Sequence, residues 1–181
     1  MTRSLVLPLL VGLSFGCRDS NIDSVSGPTL ECDACGGACS IENLEVGTAN
    51  HTSDPIDYPN PPPVGGPHNP CWSQWLVFSE EIPDERWVHN LEHGGVVFLY
   101  DCPDGCPEDV AVLQAIYDAR PQHTVVVSPY AGLNGGFAAV SWGWRMLLDC
   151  ADADTLNQFY DEHADHGPES STSNPPESCD P

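Results

Sequence analysis

The sequence predicts an α+β domain: a mixed β-sheet with two helices packed on one face, a long ordered proline-rich loop, and disulfides that staple the whole. Three observations carry this. Short aromatic and β-branched runs bounded by turn residues recur along the chain. Two longer segments instead show apolar residues at helical spacing. The elements follow one another in the order β-β-β-α-β-β-α, and eight cysteines remain once Cys17 is set aside.

Taken in order, the runs Trp72 to Ile82, Glu85 to Leu91 and Gly94 to Asp101 read as strands. Pro107 to Ala119 reads as an amphipathic helix, with proline at its start, acids in the first turn and Val110, Leu113, Ile116 and Tyr117 at helical spacing. His123 to Pro129 is a compact buried strand. Gly135 to Cys150 gives one or two more, with Gly143 as a bulge or turn. Asp152 to Gly167 is a second helix, capped by Asp152, apolar at Leu156, Phe159 and Tyr160, and stopped by Gly167. Between His51 and Cys71 lie seven prolines, which resist both helix and central strand, so this stretch is an ordered loop or a linker.

The N-terminus, MTRSLVLPLLVGLSFGC, places one arginine before an apolar stretch of about 13 residues, shorter than the roughly 17 to 25 needed to span a membrane. It reads as a secretion signal over residues 1–16, with lipidation expected at Cys17 behind the small Gly16, although Ser14 stands where such signals usually carry Leu. The organisation expected is a signal peptide (1–16), a lipid-anchored tether with a cysteine-rich segment (17–44), the main domain (45–169), and a tail (170–181) tied back by Cys179. An even cysteine count in an exported chain favours disulfides; zinc ligation by Cys32, Cys35 and Cys39, spaced C-x2-C-x3-C, is the competitor. The expected setting is extracytoplasmic, in the periplasm or at the cell surface, with the membrane as partner through the anchor.

Five basic residues, none of them lysine, stand against 27 acidic ones, for a formal charge of -22. Phosphate backbones need a basic surface, so nucleic acid is excluded as a partner. An acidic field of this size attracts cations weakly. Ser79, Ser128 and Ser141 lack the G-x-S-x-G setting of a hydrolase nucleophile, and GLNGG lacks the Lys-Ser of a phosphate loop.

The chemistry concentrates in VHNLEHGGVVFLYD, Val88 to Asp101. His89, Glu92 and His93 spell H-x-x-E-H, an inverted zinc-peptidase motif that requires a helix. Gly94 and Gly95 and the strand-like run behind them argue against one. In an extended strand the two histidines would stand about 13 Å apart, so a shared metal ion requires the chain to turn at Leu91 and Glu92. The proline-rich loop adds His51 and His68, and its prolines leave His68 little entropy to lose on ligand binding. Trp142, Trp144 and Met146 alternate along one run; they are either core or an aromatic and thioether wall that would favour copper over zinc.

The succession His51, Tyr58, PPPVGGPH (Pro61 to His68), VHNLEHGGVVFLYD, AVSWGW and HGPE resembles a bacterial domain-of-unknown-function family whose signature has H, Y, PP-T-SGPH, V-H-x-LEHG, A-W-G and a terminal PE. Val64 and Gly65 stand where that signature has Thr and Ser, which removes a hydroxyl from the loop but leaves every histidine. The resemblance implies a secreted or membrane-tethered domain and one functional pattern containing His51, His68, His89, Glu92 and His93; it implies no activity. The leading expectation is a transition-metal site, copper or zinc, with His51, His68, His89 and His93 as ligands and Glu92 orienting an imidazole. The competitors are an adhesion or partner-binding domain held by a structural His/Glu network, and a metal-dependent hydrolase or oxidase with Glu92 as catalytic base.

Overall fold

The computed structural model describes residues 39–170. The signal sequence, Cys17, Cys32, Cys35 and Cys179 lie outside the described residues. The fold is α+β: β1 (Ser40–Asn43), α1 (Asp84–Glu92), β2 (Val96–Tyr100), α2 (Pro107–Ala119), β3 (Val125–Pro129), β4 (Phe137–Ser141), β5 (Trp144–Leu148) and α3 (Ala153–His163). The five strands form one mixed sheet in the order β1-β5-β4-β2-β3. Strands β2 and β3 run parallel through the α2 crossover, and the other pairs are antiparallel.

Side chains alternate across this sheet, and each face builds its own core. Val96, Phe98, Val125, Val127, Ala139 and Met146 face α2 and α3, which contribute Leu113, Ile116, Leu156 and Phe159. The two helices expected on one face are these. On the opposite face Val97, Leu99, Val126, Ala138 and Val140 pack against Trp75, Val64 and a third helix, α1, through Trp87, Val88 and Leu91.

That third helix corrects the strand expected at Glu85 to Leu91. Asp84 and Glu85 place acids in its first turn, where the helix dipole favours them. Trp87, Val88 and Leu91, all 0% exposed, form a helical i, i+1, i+4 face. At nine residues the helix is too short to stand alone. Burying those three side chains supplies about 1.5–3 kcal/mol each, which offsets that weakness. The two glycines that argued against a helix end it: Gly94 (φ +84°) donates to Leu91 O at 2.9 Å and Gly95 to Asn90 O at 2.9 Å, the paired bonds of a Schellman stop.

The strand expected over Trp72 to Ile82 is also corrected. This segment is irregular and its backbone pairs with the sheet at a single bridge, between Val77 and Val127. The start of its backbone is committed to α1, where Ser73 N–H donates to Asn90 Oδ1 at 3.0 Å. Strand β1 comes from the end of the cysteine-rich segment and pairs with β5. Gly143 makes the β4–β5 turn with φ +80°.

Cys102 and Cys106 form a disulfide across the β2–α2 connection. Cys39, Cys71 and Cys150 are disulfide-bonded too, so Cys39 offers no thiolate to zinc. Among the described residues no helix is long and apolar enough to cross a membrane.

Candidate metal centre

Three chain segments meet where α1 ends. The helix brings His89 and Glu92 in its last turn and His93 as its C-cap. The proline-rich loop brings His51 and His68, which pair as a short parallel bridge: Thr52 N–H donates to His68 O at 2.8 Å and His68 N–H to Asn50 O at 3.0 Å.

The loop owes its order to bonds that proline cannot supply for itself. Arg145 of β5, 9% exposed, donates to the carbonyls of Asn60 and Pro62 at 3.1 Å each and pairs with Glu42 of β1 at 2.6 Å. Tyr58 Oη donates to Pro67 O at 2.7 Å. Gly65 has φ +140°, and a Cβ there would stand 2.6 Å from Val46 Cγ1 and 3.1 Å from the Trp142 ring, so only glycine lets the loop lie this close to β4 and β5. At the far end of the loop, Asn69 N–H donates to Glu85 O at 2.9 Å, and Asn90 Nδ2 to Ser73 O at 3.0 Å.

Within this frame one ligand atom from each of His51, His68, His89 and Glu92 lies within 4.8 Å of the others, a group that could hold a metal ion. The Nε2 atoms of His51, His68 and His89 stand 3.4, 3.0 and 3.7 Å from Oε2 of Glu92. His68, His89 and Glu92 are buried, whereas the His51 side chain is 45% exposed and forms the outer wall. His68 Nδ1 donates to Gly66 O at 2.8 Å and His89 Nδ1 donates to Asn69 O at 2.7 Å. Those bonds fix the tautomer of each neutral ring, leaving a lone pair on Nε2 aimed inward.

Burial pushes the His89 imidazolium down to a pKa of about 4; the bond to Asn69 partly opposes this, and the neighbouring His68 and His93 reinforce it. His89 is thus neutral near pH 7. A neutral Nε2 and a carboxylate oxygen are both acceptors, so they repel across a few ångströms unless a cation or proton lies between them.

The structure brings together His51, His68, His89 and Glu92, so that Glu92 offers a candidate ligand atom beside the imidazoles. His93 is set to one side. Its Nε2 is 3.1 Å from His89 Nε2 and its ring stacks on His89 with centroids 4.9 Å apart, but its metal-capable grouping is with Glu92 and Glu169. The turn required at Leu91 and Glu92 is present as the last turn of α1, so the H-x-x-E-H segment is helical after all.

The wall expected from Trp142, Trp144 and Met146 divides. Trp142 approaches His68 edge-on at 6.2 Å, while Met146, 0% exposed, sits in the core against α2 and α3 on the other face of the sheet. The tight turn at Gly143 breaks the alternation that would have aligned them. Among the described residues, therefore, no thioether stands beside the imidazoles to favour copper. Sequence reasoning gave no place to Trp72, whose ring packs edge-on to His89 and His93 at 5.1 and 5.6 Å, to Arg145, or to Glu169, where only the PE of HGPE was a signal.

Residues 50–176 match the family described as "Protein of unknown function (DUF3105)", a span that contains His51, His68, His89, His93, Glu92 and Glu169. No curated protein and no solved structure matches the chain.

Proposed function

Since the chain belongs to the DUF3105 family of proteins of unknown function, its role has to be read from the site, and we propose that it binds a transition-metal ion, zinc or copper, through His51, His68, His89 and Glu92. One observation supports this above the others: three imidazole nitrogens, two of them with their tautomers fixed by backbone carbonyls, converge on a single buried carboxylate oxygen. Imidazole with carboxylate suits zinc and copper better than magnesium or calcium, which take oxygen ligands. The bound ion would supply Lewis acidity at a position among the buried His68, His89 and Glu92 and bordered outward by His51.

The purely structural network has a specific weakness. In it each inward-facing acceptor needs a proton of its own, on His68 Nε2 toward Glu92 and on His93 Nε2 toward His89, while one cation satisfies the group together. A hydrolase or oxidase with Glu92 as base is disfavoured, because the carboxylate that would have to take a proton from a substrate is buried among imidazoles.

Around this centre we keep the exported lipoprotein reading, supported by the N-terminal apolar stretch, Gly16-Cys17 and the disulfides. It makes the membrane the partner through a lipid on Cys17 and leaves the metal site extracytoplasmic. Labelled palmitate should enter the wild-type chain and not Cys17→Ala.

The test of the metal reading is elemental analysis of untagged protein purified without chelator, alongside His89→Ala. Stoichiometric zinc or copper in the wild type, lost in the variant, is the expected result. Absence of any stoichiometric metal, before and after incubation with zinc and copper salts, would overturn it.

A further inference from the structure

Beside the first centre lies a second set of ligands. Glu92, His93 and Glu169 each offer an atom within 4.8 Å of the others, and Glu92 belongs to both groups. We infer that the centre is dinuclear: Glu92 bridges two divalent transition-metal ions, one held by His51, His68 and His89, the other by His93 and Glu169. The inference rests on the metal-binding reading above and extends it to a second ion.

Glu92 has the disposition a bridge requires. His51, His68 and His89 all approach the same oxygen, Oε2, so a first ion among them addresses that oxygen. A carboxylate binds a second ion through its other oxygen, at the separation of roughly 3.5–4 Å common to two-metal sites. His93 and Glu169 offer the further ligand atoms within 4.8 Å of this carboxylate. The His93 ring is held between the stacked ring of His89 and the edge-on ring of Trp72, 4.9 and 5.6 Å away.

The segment carrying Glu169 is fastened to the end of α1 by backbone bonds and not by the acid itself. Asp165 N–H donates to Gly94 O at 2.8 Å, and Glu169 N–H donates to Glu92 O at 3.0 Å. Gly167 lies so close to the carbonyls of Leu91 and Glu92 that no Cβ fits there. These contacts consume the free carbonyls of the helix terminus and in doing so deliver an exposed carboxylate to the side of His93.

Two ions of charge +2 against two carboxylates leave an excess of positive charge, which the formal -22 of the chain offsets at long range. The second position has one imidazole, one shared carboxylate and one exposed carboxylate, so it binds more weakly than the first and fills after it.

Zinc counts per chain decide the matter. Untagged full-length protein is equilibrated with zinc chloride, freed of loose ions by gel filtration and analysed by mass spectrometry, with Glu169→Gln and His89→Ala in parallel. The expected values are two zinc ions per wild-type chain, one for Glu169→Gln, and an unfolding midpoint of metal-free Glu169→Gln close to that of the wild type. One zinc ion in both wild type and Glu169→Gln overturns the dinuclear inference and leaves the first site standing. Two in both places the second ion elsewhere on the acidic surface and overturns it as well. None in any form overturns the metal-binding reading itself. Cobalt gives an independent readout: the electron paramagnetic signal per ion should be weakened by coupling in the doubly loaded wild type and restored in Glu169→Gln.

Discussion

His68 Nε2 lies 3.0 Å from Oε2 of Glu92, and both side chains are buried, with exposures of 0% and 3%. The opposite nitrogen of the same imidazole donates to Gly66 O, so Nε2 is the atom left to meet Glu92. A divalent ion between the two would be held by both. Glu92→Gln keeps the volume but removes the charge and presents an amide in place of one oxygen. Zinc affinity, followed by competition with a chromogenic chelator, is expected to fall by at least about 100-fold, beyond the roughly 10–100-fold typical of residues that only orient a ligand. Saturating zinc at about 100 times its dissociation constant should stabilise the wild type by about 2.7 kcal/mol in chemical unfolding, and Glu92→Gln far less at the same zinc concentration.

Arg145 governs the site from a distance. Its guanidinium holds the carbonyls of Asn60 and Pro62, and thereby the loop that carries His68, while pairing with Glu42. Arg145→Met leaves those carbonyls without their donor and Glu42 without its partner, at an expected cost of about 2–4 kcal/mol in urea unfolding. Zinc affinity should fall about tenfold in protein that is still folded, because the loop is no longer pre-organised. Arg145→Lys, which keeps the charge but not the fork of donors, should recover less than half of either loss.

The sequence made the chemistry more legible than the local structure. Helices α2 and α3 declared themselves through Pro107, Asp152 and their apolar spacing, strand β3 through its valine run, and strands β4 and β5 through an apolar run broken at Gly143. The grouping of His51, His68 and His89 was implied by the resemblance to a family whose motifs carry those histidines in the same order. Helix α1 was misread because Gly94 and Gly95 were weighed as breakers of a helix instead of its stop signal. The signs that could have found it were Pro83, the acids at Asp84 and Glu85, and the spacing of Trp87, Val88 and Leu91. Arg145 and Glu169 were beyond reach: their roles depend on which carbonyls and side chains a distant segment presents, and tertiary contacts of that kind leave no periodicity.

The stop signal has its own test. Gly94 and Gly105 share a φ of +84°, but a Cβ on Gly105 meets nothing within 4 Å, whereas one on Gly94 would stand 2.6 Å from Ser170 Oγ and 2.8 Å from Asp165 Cα. Gly105→Ala therefore measures backbone strain alone, about 1 kcal/mol. Gly94→Ala adds the displacement of the segment holding Glu169, and is expected to cost about 2–3 kcal/mol in thermal or urea unfolding. Weakened zinc binding should accompany Gly94→Ala only. Equal costs for the two substitutions would mean that residues 165–170 do not hold the end of α1.

At the start of the same helix, burial raises the Asp84 carboxyl to a pKa of about 6, against an ordinary 3.8, and the hydroxyl of Tyr130, donating to Oδ2 at 3.1 Å, only partly opposes it. The folded state therefore binds a proton more tightly than the unfolded one. The sign follows directly: stability from this group is fully present below about pH 3.8 and is lost as pH rises through about 6. Asp84→Asn removes the titration and keeps an acceptor for Tyr130. Its unfolding midpoint should exceed that of the wild type at pH 7 to 8, and the advantage should shrink steadily on acidification between those two pKa values and vanish near the lower one. Measured on metal-free protein across that range, a wild type that instead gains on the variant as pH rises would show that the helix dipole acting on this first-turn carboxylate outweighs its burial.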